Sequence, residues 1–146
     1  MSKSKTIKTS ILFLCTGNSC RSQMAEGWAR QLKADTIEAY SAGIERQGLN
    51  PYAIRVMAEA GVDIAKQEST TIEELGCTDF DWVITLCGHA DETCPTFPGK
   101  KIHKGFDDPP KLASGANSDE DKLVPYRKVR DEIRDYIETL PQSLPS

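Results

Sequence analysis

The chain has 146 residues, with 18 Lys and Arg against 22 Asp and Glu, for a formal charge of −4. Its 38% hydrophobic and 27% charged residues are ordinary for a globular protein, and the length suffices to bury a core in one domain, taken as residues 1–146. This balance excludes a basic nucleic-acid-binding surface, so any anion site must be a local construction. No apolar run approaches the roughly 18 residues of a membrane span. Met1–Thr6 is polar where a secretory signal needs an apolar stretch, so a cytoplasmic protein is expected, and as a monomer. Five cysteines in such a chain point to metal binding or redox catalysis rather than to a disulfide scaffold.

Residues 1–6 read as a loose tail. Ile7–Leu14 reads as a buried strand, and Gln23–Leu32 as a helix ending near Lys33–Asp35. Thr36–Ser41 alternates as a second strand, ended by Ala42-Gly43. Asn50-Pro51 opens a helix, with Asn as N-cap and Pro at the first helical position, and Gly61 suits its C-terminal end. Ile64 marks a short extended segment, and Thr71–Leu75 a short helix at best. Phe80–Leu86, rich in aromatic and β-branched residues, is a strand. Cys87–Thr96 reads as a polar loop, Lys101–His103 as a weak strand and Gly105–Pro110 as a turn. Asn117–Lys122 reads as mobile. The last helix is expected over Pro125–Leu140, with Val129, Ile133, Ile137 and Leu140 as its apolar stripe and Pro141 as its stop. Residues 141–146 are left as a C-terminal tail.

Alternating strands and helices imply an α/β fold with a small parallel sheet of about four strands between helical layers. Such sheets bind ligands beyond the carboxyl ends of their strands. The stretch Cys15-Thr16-Gly17-Asn18-Ser19-Cys20-Arg21-Ser22 lies at such an end, feeding a helix N-terminus that favours negative charge. Gly17 and Asn18 are the residues suited to left-handed backbone angles that turn successive N–H groups inward. Arg21 offers a planar cationic fork for two oxygens of a tetrahedral oxyanion. Cys15 lies beneath the anion, where the same field favours a thiolate, and Ser22 is placed to donate to it. Cys87 follows the Phe80–Leu86 strand, so parallel pairing would bring it to the same sheet edge as Cys15. Cys20 reads as a small buried residue, Cys77 as an ordinary cysteine, His103 as a strand residue, and Trp28 and Trp82 as core. Cys87, His89 and Cys94 are spaced too widely for a zinc knuckle and lack a second one.

The Cys15–Ser22 loop resembles that of the low-molecular-weight protein tyrosine phosphatases. Its continuation, Ser22-Gln23-Met24-Ala25-Glu26-Gly27-Trp28, is similar more specifically to the thioredoxin-coupled arsenate reductases built on that fold. Cys87 and Cys94, six residues apart, resemble the reductases' redox segment in spacing and in flanks, Val83–Leu86 before and Pro95 after; the phosphatases lack this pair. Gly105-Phe106-Asp107-Asp108-Pro109 resembles the turn that carries the general acid, which puts that role on Asp108. Pro110-Lys111 then stands where the phosphatases place aromatic residues of a phosphotyrosine pocket. Arg127–Ile133 resembles the reductases' last helix, so the likeness runs over residues 10–138. Some of these reductases hold potassium through positions matching Asn18, Glu26, Ser41 and an Asp. The last falls on Thr71, and loss of that carboxylate weakens an oxygen-ligand site, so no metal is expected.

The resemblance implies an arsenate reductase that binds its oxyanion through Thr16, Gly17, Asn18, Ser19, Cys20, Arg21 and Ser22, with phosphate or sulfate as competitors. It implies Cys15, Cys87, Cys94, Arg21 and Asp108 as the catalytic residues. Cys15 attacks arsenate, Asp108 protonates the departing oxygen, and a Cys15/Cys87/Cys94 relay carries the oxidation outward. The segment Gly88–Pro95 is then expected to move on oxidation. It implies no bound cofactor and reducing equivalents from thioredoxin, with glutaredoxin and glutathione as the alternative reductant. The alternative is a phosphatase acting on phosphotyrosine or small phosphoesters through a Cys15 phosphocysteine, and a weak side phosphatase activity is compatible with either reading. A non-enzymatic arsenite sensor would need a readout surface, and no basic recognition helix is present.

Overall fold

The computed structural model describes residues 8–75, 80–88 and 100–144. Its centre is a four-stranded, all-parallel sheet of β1 (Thr9–Cys15), β2 (Ile37–Gly43), β3 (Trp82–Thr85) and β4 (Lys100–His103), in the order β2-β1-β3-β4. The helices are α1 (Arg21–Leu32), α2 (Pro51–Glu59), α3 (Ile72–Leu75), α4 (Pro109–Leu112) and α5 (Asp119–Glu138). Consecutive residues Ile11–Cys15 of β1 and Trp82–Thr85 of β3 are all buried. Successive strand residues face opposite sides, so both faces of the central strands are covered, as in the expected α/β class. No helix among the described residues is long and apolar enough to cross a membrane.

The strand order reverses between β1 and β3, which leaves a crevice beyond their carboxyl ends. Leu14 is in register with Thr85, and Leu86 N donates to Leu14 O at 2.8 Å, extending the pairing one step past β3. Cys15 and Cys87 therefore leave adjacent strands at the same edge. The sheet is locked on one side by α1, whose Met24, Ala25, Trp28 and Ala29 are buried, and Trp28 Nε1 donates to Arg130 O of α5 at 3.1 Å. Gly27 permits the close approach: a Cβ there would lie 2.6 Å from Ile64 Cγ2.

The boundaries follow local chemistry. Asn50 Oδ1 accepts from Tyr52 N and Ala53 N and starts α2. Gly61, at φ +86°, ends it, with Gly61 N donating to Ala58 O and Val62 N to Met57 O. Thr71 and Glu74 cap α3 reciprocally: Glu74 N donates to Thr71 Oγ1 and Thr71 N to Glu74 Oε1. Ile64 is buried in irregular chain rather than in a strand.

The largest departure from the sequence reading is at α5. The helix starts at Asp119, so the polar stretch taken as mobile is its first turn and Pro125 lies inside it. Ser118 Oγ accepts from Asp121 N, and Asp119, Glu120 and Asp121 sit at the positive end of the helix dipole. These contacts, with the burial of Leu123 and Tyr126, offset the hydrogen bond and the steric clash that Pro125 costs the helix. Leu123 and Tyr126 thereby join Val129, Ile133 and Ile137 on the buried stripe. Residues 141–144 are likewise more than a tail: Ser143 N donates to Thr139 O, and Leu144 packs against the core.

Ser118→Ala is expected to lower the unfolding free energy by about 1 kcal/mol. Urea denaturation followed by circular dichroism checks this.

Candidate active site

Between Cys15 and Ser19 every backbone carbonyl is held on the outside of the loop. Cys15 O accepts from Ile44 N (3.2 Å), Thr16 O from Glu45 N (2.9 Å), Gly17 O from Gln47 N (3.0 Å) and Ser19 O from Asn50 N (3.0 Å). Asn18 O accepts from Gln23 Nε2 at 3.0 Å. A trans peptide points its C=O and the following N–H in opposite directions. Fixing the five carbonyls outward therefore aims the N–H groups of Thr16, Gly17, Asn18, Ser19 and Cys20 inward. None of these amides donates to a described residue, and the first amides of α1 continue the set. The result is a concave array of donors closed by a helix N-terminus, which suits a tetrahedral oxyanion. Within the loop only Asn18 takes a left-handed backbone, at φ 48°; Gly17, expected to share that role, does not.

The side chains beneath this array form a directed chain of hydrogen bonds. Thr70 N donates to Asn18 Oδ1 at 2.7 Å, which fixes the Asn18 amide and turns Nδ2 to Ser22 Oγ at 2.8 Å. Ser22 Oγ, satisfied as an acceptor, lies 2.9 Å from Cys15 Sγ and has its proton free to donate to a thiolate. Asn18 and Ser22 are both fully buried. Ser41 donates to Glu26 Oε1, while Arg30 Nη2 meets Glu26 Oε2 at 2.7 Å. Thr71, named in the sequence reading at the potassium position, is occupied in capping α3; Thr70 is the residue that lines one cavity with Glu26 and Ser41. Asn18 Oδ1 and both Glu26 oxygens, named in the potassium reading, thus each accept from the chain's own donors.

Arg21 and Asp108 meet across the mouth. Arg21 Nη1 donates to Phe106 O at 3.0 Å, and Nη2 lies 3.6 Å from Asp108 Oδ1. The guanidinium is nearly buried, whereas the Asp108 side chain is 42% exposed, open to exchange protons with solvent. A cavity of about 230 Å³ opens between them, lined by Cys15, the loop, Gln47, Asp108 and Pro110. Among the described residues no aromatic ring lines it.

Cys87 is buried, and its Sγ lies 3.2 Å from Thr16 Oγ1. It follows β3 by two residues, at the sheet edge where Cys15 ends β1. Cys94, His89 and Cys77, with residues 89–95 of the segment expected to move, lie outside the described residues. Cys20 is the N-cap of α1, and burial, followed by the nearby Cys15, pushes its thiol far above the ordinary range. It enters the site through its backbone amide and remains a neutral thiol.

Several residues that build the site were absent from the sequence reading. Gln23 was assigned only to a helix, although a fully buried glutamine implies a full set of partners. Gly43 was taken only as a strand end. A Cβ there would lie 2.5 Å from Glu45 O and 2.6 Å from Asn18 N. At Gly17 the obstacle is the flexible Gln47 side chain, 2.2 Å from the built Cβ. Ser69 Oγ adds a second donor to Gly17 O at 3.2 Å. No spacing rule marks these partners, since each reaches the loop from another segment.

Comparison with known proteins follows the same pattern. The family described as low molecular weight phosphotyrosine protein phosphatase matches residues 10–146. An arsenate reductase of Halalkalibacterium halodurans is 51% identical over 138 residues, covering 93% of this chain and 97% of that one. A solved arsenate reductase in its phosphate binding state has a TM-score of 0.73 at 33% identity, covering 94% of this chain and 99% of that chain. The thioredoxin-dependent arsenate reductase of Corynebacterium glutamicum has a TM-score of 0.66 at 25% identity, covering 93% of this chain and 61% of that chain.

Gly43→Ala is expected to weaken inorganic phosphate binding by more than about tenfold, because backbone must shift at the Asn18 amide. Gly17→Ala should weaken it less, since only Gln47 has to move. Isothermal titration of both variants with phosphate checks the order.

Proposed function

We propose, for a chain that belongs to the low molecular weight phosphotyrosine protein phosphatase family and to its arsenate reductases, that it reduces arsenate to arsenite at the Cys15 loop. The observation that carries this reading is Cys87, a second thiol beside the loop at the end of the neighbouring strand. Hydrolysis of a phosphoester has no use for it.

Arsenate enters the array of inward amides, with Arg21 neutralising part of its charge. The Cys15 thiolate, receiving a hydrogen bond from Ser22, attacks arsenic. Asp108 gives a proton to the departing oxygen, which leaves as water, and an arsenic(V) thioester-like adduct remains on Cys15. The Cys87 thiolate then attacks Cys15 Sγ. The sulfur–arsenic bond breaks, its electron pair stays on arsenic, and arsenite departs as Cys15–Cys87 forms. Cys94 attacks Cys87 Sγ, which releases Cys15 and forms Cys87–Cys94. A thioredoxin-type dithiol reduces that last disulfide; this follows the dependence stated for the Corynebacterium glutamicum relative. The cycle starts from reduced thiols, which fits a reducing compartment such as the cytosol.

A slow phosphoester hydrolysis accompanies this activity, since Cys15, Arg21 and Asp108 suffice for it. Phosphotyrosine is not favoured as its target, since the described lining of the cavity offers no ring to stack on an aryl group.

The test is arsenate-dependent NADPH oxidation with thioredoxin and thioredoxin reductase. Cys87→Ser and Cys94→Ser should each lose turnover while retaining aryl phosphate hydrolysis, and Cys15→Ser should lose both. Asp108→Asn should slow both reactions by about 10²- to 10⁴-fold. Absent arsenate turnover, beside strong hydrolysis indifferent to Cys87 and Cys94, would leave a phosphatase.

A further inference from the structure

Of the five carbonyls turned out of the loop, four are held by backbone N–H groups that no substitution of their side chains removes. The fifth, Asn18 O, has only a side chain for a partner: Gln23 Nε2 at 3.0 Å. The same peptide follows Asn18, the residue in the left-handed region, where the backbone has least intrinsic preference for its course. Its N–H belongs to Ser19, whose residue lines the cavity.

Gln23 is built for one orientation. Its Nε2 faces two carbonyl oxygens, Asn18 O and Glu68 O, the latter at 2.9 Å. Its Oε1 accepts from Gln67 Nε2 at 2.7 Å. Turning the amide over would set oxygen against two oxygens and nitrogen against nitrogen. The side chain is fully buried, so water does not replace a lost bond.

We propose that Gln23 is a positioning residue for oxyanion binding: it holds Asn18 O outward and thereby keeps the Ser19 N–H aimed at the anion. Gln67 locks the Gln23 amide in the donating sense. This rests on the loop being the oxyanion site, and it requires no arsenic chemistry.

The probe is inorganic phosphate, titrated calorimetrically into the reduced full-length protein. Gln23→Met keeps length and apolar bulk but donates nothing. Its phosphate dissociation constant should rise about ten- to a hundredfold, the scale of one lost hydrogen bond to a charged acceptor. In ¹H–¹⁵N spectra of the unsubstituted protein, the Ser19 N–H should move downfield on phosphate addition. In Gln23→Met that movement should vanish while the Thr16 and Gly17 amides still respond. Trp28→Phe, which loses the bond to Arg130 O from the same helix, should lower the melting temperature and leave phosphate affinity unchanged.

The proposal is overturned if Gln23→Met binds phosphate within about twofold of the parent, the spread of a remote substitution. It is equally overturned if the Ser19 N–H of the unsubstituted protein ignores phosphate, a reading that holds even where the variant fails to fold. A protein that binds phosphate through Ser19 yet reduces no arsenate would sink the reductase reading and support this one.

Discussion

The site depends on the planarity of the peptide bond. A free N–H is not aimed by anything that touches the N–H itself, because its own position must stay open for the ligand. It is aimed from behind, by whatever holds the preceding carbonyl. In this protein Ile44, Glu45, Gln47 and Asn50 hold four carbonyls by backbone donation, and Gln23 holds the fifth. The anion-binding face is thus the reverse side of an ordinary hydrogen-bonded surface. The buried carbonyls are satisfied, as burial requires, and the donors left over all face one cavity. A protein with a net charge of −4 can then receive an anion without a field that gathers one.

The sheet supplies the second constraint. Parallel pairing of β1 with β3 delivers their carboxyl ends to one crevice, and with them Cys15 and Cys87. The turn carrying Asp108 reaches the same edge, since Phe106 N donates to Leu86 O and Phe106 O receives Arg21. Two thiols, a guanidinium and a carboxyl group meet there although 93 residues separate Cys15 from Asp108 in sequence. The polar layer beneath is ordered by the same economy of donors. Thr70 N fixes Asn18, Asn18 fixes Ser22, and Ser22 is left with a proton to offer Cys15.

What could be read from sequence was what is local. The apolar run of β1, the glycine and asparagine of the loop, the Asn50-Pro51 helix start and the Gly61 stop each announce themselves within a few residues. Cys87 was legible because a strand precedes it, and parallel pairing then fixed its neighbourhood. The start of α5 is hidden because Pro125 is a stronger local signal than Ser118 with three acids, whereas the burial of Leu123 and Tyr126 that favours the longer helix depends on tertiary packing. The bond of Ser41 to Glu26 and the place of Thr70 beside them in one cavity leave no mark in the sequence, because these side chains meet only after folding. Gln23 and Gly43 carried no local mark of their role at all. Each looks like an unremarkable member of its helix or strand until the segment opposite is known.

The partners of the loop come from far along the chain. Gly17 and Asn18 are braced by Ser69 and Thr70, 52 residues on; Gln23 by Glu68, 45 residues on; Arg21 by Phe106, 85 residues on. Closing loops of such length costs chain entropy before any contact repays it. The cradle is complete only when the strap at 68–70 has docked. A peptide spanning Leu14–Gln23 would contain every residue of the motif and, Gln23 apart, none of its supports. The donor array beside Cys15 is a property of the finished tertiary structure and not of the motif.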